Sequence, residues 1–271
     1  MRFGILIDQD APFEVLTERW RRAEELGFDA VYVADHSTDY RRPGGPWFDG
    51  LTVLAAMVER TERVRVGTLV ANPILRAPQL LAREAHALDH LSGGRLELGI
   101  GTGIAAFDYT AMGVQPLAPK ARAERLRGYV AAVDELLRGD ALAPPTPQRP
   151  RPPITVGGQS PTVLRIVVER ADCWNTHGPF GASLREILAV TRDQNAWLSD
   201  ACVARGRDPA ALRRSLLLFR ALDAWASPDA LERVVAAFAE IGMREFVVFW
   251  PTPDRMRLLE RAAAFMASAR A

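Results

Sequence analysis

The feature that most constrains the fold of this chain is a strand pattern followed by a helix pattern, repeated eight times. Each pair takes roughly 34 residues, and the strand segments are nearly continuous apolar runs, as in parallel sheets buried on both faces. A chain of 271 residues with eight such pairs is close to the ~250 residues typical of a closed (β/α)8 barrel. We therefore predict an α/β fold, a single TIM-barrel domain over residues 1–271, with parallel strands and a functional site at its C-terminal mouth. A doubly wound open sheet is the structural alternative.

Three stretches depart from the regular alternation or set its boundaries. After Gly101 the sequence lacks helical periodicity as far as Pro119, which predicts a long loop before a helix over 121–137. The proline-rich residues 143–152 predict an extended connection. The apolar run at 215–222 predicts the seventh strand.

Charge and composition exclude several classes of protein. The formal net charge of +1 is too small for a dedicated nucleic-acid surface. No apolar run approaches the roughly 20 residues that span a bilayer, and the first residues enter a strand without a signal-peptide pattern. Cys173 and Cys202 have neither metal-site spacing nor a disulfide framework, and Cys173 reads as a small core residue. We therefore predict a cytoplasmic protein with no metal, nucleic-acid or membrane partner.

Residues 153–176 read as one strand–helix–strand unit with an anion-binding turn. A β-branched strand is stopped by Gly157 and Gly158, and Gln159 leads into Ser160-Pro161, a helix N-cap followed by proline at the first helical position. Two residues without Cβ therefore lie next to the open N–H groups of a helix start, where the helix dipole favours negative charge. The pattern predicts a phosphate site; the alternative is an ordinary tight turn with a good cap.

In a barrel, the chemistry lies where each strand ends and its loop begins. The polar, glycine or aromatic residues at the predicted strand ends are Asp8, Asp35 and His36, 68–72, 101–103, Gly157 and Gly158, 175–177, Arg220 and Trp250.

Asp35 and His36 are adjacent, so they would point to opposite faces of a strand and cannot form a simple dyad. One would enter the mouth while the other anchors the following loop. A histidine at the mouth can exchange a proton near neutral pH. Trp47, Trp174 and Trp250 lie in or beside the predicted mouth loops and are expected to wall an aromatic pocket.

Two motifs invite functional interpretations that the surrounding sequence argues against. His86 and His90 are four residues apart on the third helix, but no third ligand accompanies them, so a solvated face is expected rather than a metal site. Gly99, Gly101 and Gly103 follow a strand, as in a dinucleotide fingerprint, but neither the helix nor the later acidic residue of that motif is present. These glycines are expected to let a flat ring system approach the backbone.

Several of these stretches together resemble the luciferase-like monooxygenase superfamily, in particular its shorter members that use the deazaflavin coenzyme F420. The resemblance rests on V-A-D-H at 33–36, R-V-R-V-G-T-L-V-A-N-P at 63–73, L-D-H-L-S-G-G-R-L-E-L-G-I-G-T-G at 88–103 and P-I-T-V-G-G at 153–158. The D-C-W-N segment at 172–175 matches one that more often reads D-G-W-N. Each motif is short, and the specificity comes from their combination and order.

The resemblance implies a (β/α)8 barrel that holds an isoalloxazine or deazaflavin ring in its C-terminal mouth. It implies that Asp35 and His36 lie near the ring as the catalytic residues. It also implies a bulge in the third strand with a non-proline cis peptide at Leu69–Val70. The cofactor-binding residues that it implies are Thr68, Leu69, Val70, Asn72, Gly101, Thr102, Gly103, Gly157, Gly158, Gln159 and Asn175.

The chain departs from one branch of this family. In the related sugar-phosphate dehydrogenases a glutamate follows the Gly-Thr-Gly motif, whereas Ile104 occupies that position here. A general acid is therefore missing, and the sequence shows no evident cluster of lysine and arginine in the mouth for a substrate phosphate. The loop over 104–119 is the expected lid and specificity element.

We therefore predict F420-dependent hydride transfer to or from a small organic substrate, with His36 as the proton-exchange partner. The alternatives are an FMN-dependent monooxygenase that uses reduced FMN and dioxygen, and a non-catalytic flavin-binding barrel. A nicotinamide-dependent Rossmann enzyme is a weaker alternative. The resemblance also implies a homodimer and is compatible with a flavin or F420 reductase as a partner.

Overall fold

Eight parallel strands close into a barrel in the order β1 to β8, as the sequence predicts. The structure is a computed structural model that describes residues 1–42 and 44–270. Every neighbouring pair of strands is parallel, including β1 with β8, so the fold is a TIM barrel. The strands are β1 (Arg2–Leu6), β2 (Ala30–Val33), β3 (Arg65–Ala71), β4 (Leu96–Ile100), β5 (Ile154–Gly157), β6 (Cys173–Thr176), β7 (Arg213–Leu217) and β8 (Glu245–Phe249).

An outer ring of helices covers the barrel. The helices are α1 (Phe13–Glu25), α2 (Gly50–Val58), α3 (Pro78–Leu91), α4 (Ala106–Ala111), α5 (Pro119–Arg138), α6 (Pro161–Arg170), α7 (Leu184–Ala204), α8 (Ala230–Glu240) and α9 (Arg257–Arg270). Each long helix buries one apolar stripe against the strands; in α1 the stripe is Leu16, Trp20 and Ala23. Within the described ranges, no helix is long and apolar enough to cross a membrane.

Two helix starts show how the local sequence sets the element boundaries. Ser183 and Glu186 form a reciprocal capping box at the start of α7. At α6 the Ser160 hydroxyl accepts a hydrogen bond from the Val163 N–H, and Pro161 occupies the first turn, which confirms the predicted cap.

Two predicted boundaries are wrong. The predicted loop over 101–119 contains α4, whose six residues are too few to show a helical period in the sequence. The predicted strand over 215–222 instead begins at Arg213 and ends at Leu217, and the chain then turns through a short 3-10 helix, Arg220–Leu222. The apolar run continues past the strand because Leu218 and Leu222 are buried beneath the turn.

The third strand is kinked where it reaches the mouth, as the family resemblance implies. The pairing of β3 with β4 shifts register between Thr68 and Ala71, and the Leu69–Val70 peptide is cis. Below the kink the two strands approach closely: a Cβ at Gly67 would overlap the carbonyl oxygen of Glu97. The kink turns residues 69–72 towards the mouth.

Charged side chains and one tyrosine form a cluster at the opposite, N-terminal end of the barrel; we call this cluster the ionic plug. Its members are Arg2, Tyr32, Arg65, Glu97, Arg213 and Glu245. Glu97 is 1% exposed and accepts from three arginines. Burial raises the pKa of Glu97, but the three guanidinium groups outweigh burial and lower it to about 2.

Candidate active site

A cavity of about 430 Å³ opens at the C-terminal mouth and gathers nearly all of the predicted site residues. The predicted residues that line it are Asp35, His36, Leu69, Val70, Asn72, Gly101, Thr102, Gly103, Gly157, Gly158, Gln159 and Asn175. Thr68 is the exception: its side chain is buried beneath the cavity, where its hydroxyl donates to the carbonyl oxygen of Gly99 at 2.8 Å. The sequence therefore located the cavity, and Thr68 supports its floor without lining it.

The floor of the cavity is made of glycines. A Cβ at Gly101 would overlap the Val70 side chain, and one at Gly157 would lie 3.2 Å from a Val70 methyl carbon. The glycines at the ends of β4 and β5 therefore make room for the Val70 side chain, which forms the floor together with their backbone. A flat ring fits against such a floor better than a bulky aliphatic group does.

His36 is held by a buried carboxylate that the sequence analysis did not identify. Its Nδ1 lies 2.8 Å from Oδ2 of Asp108, a fully buried residue of α4. Asp108 also accepts from the backbone N–H and hydroxyl of Ser37 and from the side-chain amide of Asn72. Burial raises the pKa of Asp108, but the hydrogen bonds from His36 and Ser37 more than offset it and hold the pKa below its usual range. An ionised Asp108 favours the tautomer of His36 with hydrogen on Nδ1, which leaves Nε2 as the nitrogen that can accept a proton.

Asp35 has a different role from His36. Its carboxylate is 1% exposed, accepts from the backbone N–H of Asn72 at 2.8 Å and pairs with Arg76 at 2.8 Å. Burial raises the pKa of Asp35, and Arg76 opposes that effect only in part. The two adjacent residues therefore point to different partners: Asp35 ties the end of β3 in place, while His36 reaches the cavity.

Asp8, at the end of β1, is a second titratable group near the mouth. The Tyr40 hydroxyl lies 3.0 Å from both of its carboxylate oxygens, and Arg41 lies 3.0 Å from one of them. Burial dominates over these favourable contacts and raises the pKa of Asp8 to about 6. The ring of Tyr40 packs 5.1 Å from that of His36, so Asp8 and His36 are joined through one aromatic side chain.

We expect Asp8→Asn to stabilise the protein more at pH 8 than at pH 4. A raised carboxyl pKa means that the folded state binds the proton more tightly than the unfolded chain does. The contribution of this carboxyl is therefore most favourable below pH 4 and is lost as the pH rises through about 6. The gain at pH 8 relative to pH 4 should be about 2–3 kcal/mol. Urea unfolding of both proteins at the two pH values measures it, and parallel pH curves would contradict the assignment.

The predicted phosphate turn lies at one end of the cavity. Gly158 has φ +139°, which L-residues rarely adopt, and a Cβ there would lie 3.1 Å from Val163 on the first turn of α6. Arg122, near the start of α5, also lines the cavity, and its Nη1 donates to the Leu117 carbonyl. From the sequence, Arg220 is the only arginine placed at a strand end, and no cluster of lysine and arginine is evident in the mouth. Sequence reasoning did not identify Arg122, because this residue is one of several arginines on a helix, and only the fold shows which of them faces inward.

The opposite side of the cavity is aromatic, but not in the way the sequence predicts. Trp174 is fully buried and donates its indole N–H to the Gly158 carbonyl at 2.8 Å, and Trp250 lies under Arg19 on the outside of the barrel. The expectation that these two tryptophans wall the pocket is therefore wrong. The indole N–H of Trp47 donates to the His36 carbonyl at 2.8 Å and so supports the loop that follows β2. The ring residues that line the cavity besides His36 are His177 and Phe180.

Three other residues with sequence-based predictions do not line the cavity. His86 and His90 on α3 both have Nε2 near the Pro144 carbonyl, at 2.6 and 3.3 Å. They lie on the outer ring, as predicted. Cys173 is buried in the barrel, which confirms its prediction as a core residue.

The chain belongs to the luciferase-like monooxygenase family, which matches it over residues 1–271. A curated relative, the F420-dependent glucose-6-phosphate dehydrogenase of Microbacterium testaceum (strain StLB037), is 33% identical over 65% of this chain and 56% of the relative. The chain thus spans only about half the length of this relative.

Solved structures with the same fold include enzymes with two different cofactors. An F420-dependent secondary alcohol dehydrogenase in complex with an F420–acetone adduct superposes with a TM-score of 0.82 at 17% identity, covering 97% of each chain. Riboflavin lyase (RcaE) with modified FMN and substrate riboflavin gives 0.75 at 16% identity, covering 100% of this chain and 92% of the other. At these identities the likeness shows the fold alone.

Proposed function

We propose that this protein is a coenzyme F420-dependent oxidoreductase that transfers a hydride to or from a small organic substrate. The observation that carries the proposal is the assembly of His36, a glycine floor and the start of α6 around one cavity of about 430 Å³. Curated relatives named as F420-dependent support the choice of cofactor. When bound, the deazaflavin supplies the hydride chemistry.

The residues of the cavity fit such a group. Gly101 and Gly157 allow Val70 to pack against the strand ends, and the Val70 side chain with their backbone would form a flat, apolar floor under a ring. The start of α6 would favour a phosphate through the helix dipole and the N–H of Thr162, and Arg122 lines the same cavity. The N–H of Gly158 donates to the Asn175 carbonyl and that of Val163 to Ser160. Leu69 and Val70 contribute apolar surface that excludes water. The remaining sides of the cofactor would be contacted by Asn72, Thr102, Gly103, Gln159 and Asn175.

The chain's own part in the reaction is to move one proton. Asp108 fixes the orientation of His36 and its tautomer, and Nε2 is then free to take a proton from a substrate hydroxyl or return it. Asp35 acts on the site indirectly. It accepts a hydrogen bond from the Asn72 N–H and so fixes the position of Asn72 and of the end of β3.

An FMN-dependent monooxygenase is the second candidate, since one helix start and one arginine suit a single phosphate on either cofactor. Equilibrium titration with F420 and with FMN, followed by the absorbance of each cofactor, separates the two. We expect F420 to bind at least about tenfold more tightly than FMN. Tighter binding of FMN would favour the monooxygenase, and binding of neither would contradict both proposals. Binding without turnover would favour the non-catalytic barrel.

Four further predictions from the sequence belong with this proposal. They are a single domain over the whole chain, a cytoplasmic location, a homodimer, and a flavin or F420 reductase as a partner. Sedimentation of the purified protein tests the dimer directly, and the other three stay predictions.

A further inference from the structure

A second cavity of about 230 Å³ adjoins the first at the barrel mouth. It lies between the loops that follow β6 and β7, and it shares His177, Pro179 and Phe180 with the active-site cavity. The remaining residues that line it include Phe219 and Arg220. A molecule bound there would therefore border the proposed cofactor cavity.

The walls of this second cavity are aromatic. The ring of His177 packs 4.6 Å from that of Phe180 and 5.9 Å from that of Phe219. Phe180 and Phe219 meet edge to face at 6.2 Å, and Phe249 continues the cluster behind Phe219 at 5.6 Å. Burial lowers the pKa of His177, which favours a neutral ring and an apolar wall. Such walls suit a flat apolar body, and the volume suits a single ring.

Arg220 supplies a positive charge at the edge of these walls. Its guanidinium lies 5.1 Å from the centre of the Phe219 ring and 5.5 Å from that of Phe180. Over residues 1–42 and 44–270, no carboxylate lies within ion-pair distance of it, and the nearby Asp223 pairs with Arg255 at 2.6 Å. By contrast, Arg41 and Arg76 at the same mouth are paired with Asp8 and Asp35.

The backbone at Arg220 is also unusual. Its φ of +53° is the only positive value at a non-glycine residue in the described part of the chain. A side chain with a Cβ is disfavoured in this region, where glycine or asparagine would be accommodated more readily. Arg220 is exposed at this position, with its guanidinium against two rings and no carboxylate partner, so its N–H groups are accessible to an anion from outside the chain.

We propose that this second cavity is the substrate subsite and that it takes a planar, apolar organic acid. The ring of the acid would lie against Phe180, Phe219 and His177, and its carboxylate or phosphate would pair with the guanidinium of Arg220. The assignment rests on the proposed function, because it makes the adjoining cavity the place of reaction.

Binding of small probes tests the subsite. Benzoate, its neutral analogue benzamide, the non-planar cyclohexanecarboxylate and phenyl phosphate are titrated by calorimetry into the protein with its cofactor bound. We expect benzamide and cyclohexanecarboxylate to bind at least about tenfold more weakly than benzoate. The ratio of phenyl phosphate to benzoate then tells which oxyanion Arg220 prefers. Equal binding of benzoate and benzamide would overturn the proposal.

Two variants test whether the charge of Arg220 causes the preference for benzoate. Arg220→Asn removes the charge with a residue that tolerates the same backbone, so the fold should persist, and the preference for benzoate over benzamide should disappear. Arg60→Gln, an exposed arginine between α2 and β3, is the matched control and should keep the preference. A preference retained in Arg220→Asn overturns the subsite.

Cofactor binding is measured separately on the same samples. If F420 or FMN binds and the probes show no discrimination, the subsite alone fails. If the probes discriminate but neither cofactor binds, both the proposed function and the role of this cavity as a substrate subsite are overturned.

Discussion

Turnover should fall by roughly 10²–10⁴-fold when His36 is replaced by asparagine, because this is the range that general acid–base catalysis contributes. Asparagine keeps the approximate shape and one hydrogen bond to Asp108, so the loop should stay in place. It cannot exchange a proton near neutral pH. Cofactor affinity should change much less, by about 1 kcal/mol for a single neutral hydrogen bond.

Single-turnover hydride transfer with enzyme saturated in cofactor is the appropriate measurement, because saturation removes the binding contribution. His90→Asn, on the outer face of α3, is the matched control and should leave the rate unchanged. A wild-type chemical step in His36→Asn, together with lower affinity and a lower melting temperature, would show that His36 only orders its loop.

Gly158→Val should weaken cofactor binding by at least ~1.4 kcal/mol, about tenfold in affinity. A Cβ at this position would lie 3.1 Å from Val163, in the space between the strand end and the first turn of α6. The proposed phosphate site depends on this close packing of the turn against the start of α6. A valine side chain would crowd Val163 and strain the turn, since φ is +139°, and so displace the helix start from the phosphate.

A control must separate a local effect at the proposed phosphate site from a general loss of stability. Gly206 also has positive φ, at +67°, but a Cβ there would meet nothing within 4 Å, and the residue follows α7, away from the mouth. Gly206→Val should lower the melting temperature without affecting cofactor affinity. If Gly158→Val is folded and binds the cofactor as well as the wild type does, the phosphate does not lie at the start of α6.

The barrel could be predicted because its strands are buried on both faces and so appear as apolar runs separated by helical patterns. The prediction failed where one residue pattern fits two structures. The run at 215–222 stays apolar although the strand ends at Leu217, because Leu218 and Leu222 are buried under a turn. Helix α4 was missed because six residues do not complete two helical turns.

The residues that line the cavity were predictable where they coincide with strand ends, as at His36 and the glycines that end β4 and β5. It was not predictable where a distant segment completes the arrangement. Asp108 lies 72 residues after His36 on the helix that the sequence did not show, so nothing local connects the two. Arg220 and Phe180 come together only through the packing of two loops.

The ionic plug has a consequence for the order in which molecules enter and leave. The interior of a TIM barrel is a packed core and not a pore, and Glu97, Glu245 and their arginines lie beneath that core. Both ligands would therefore enter and leave at the mouth. Gly157 is the last residue of β5 and Gly101 directly follows β4, whereas Arg220 lies beyond the end of β7. A cofactor against Gly101 and Gly157 would then lie nearer the core than a substrate held at Arg220, so we expect the cofactor to bind first and leave last. Steady-state kinetics would show this as a compulsory order of addition.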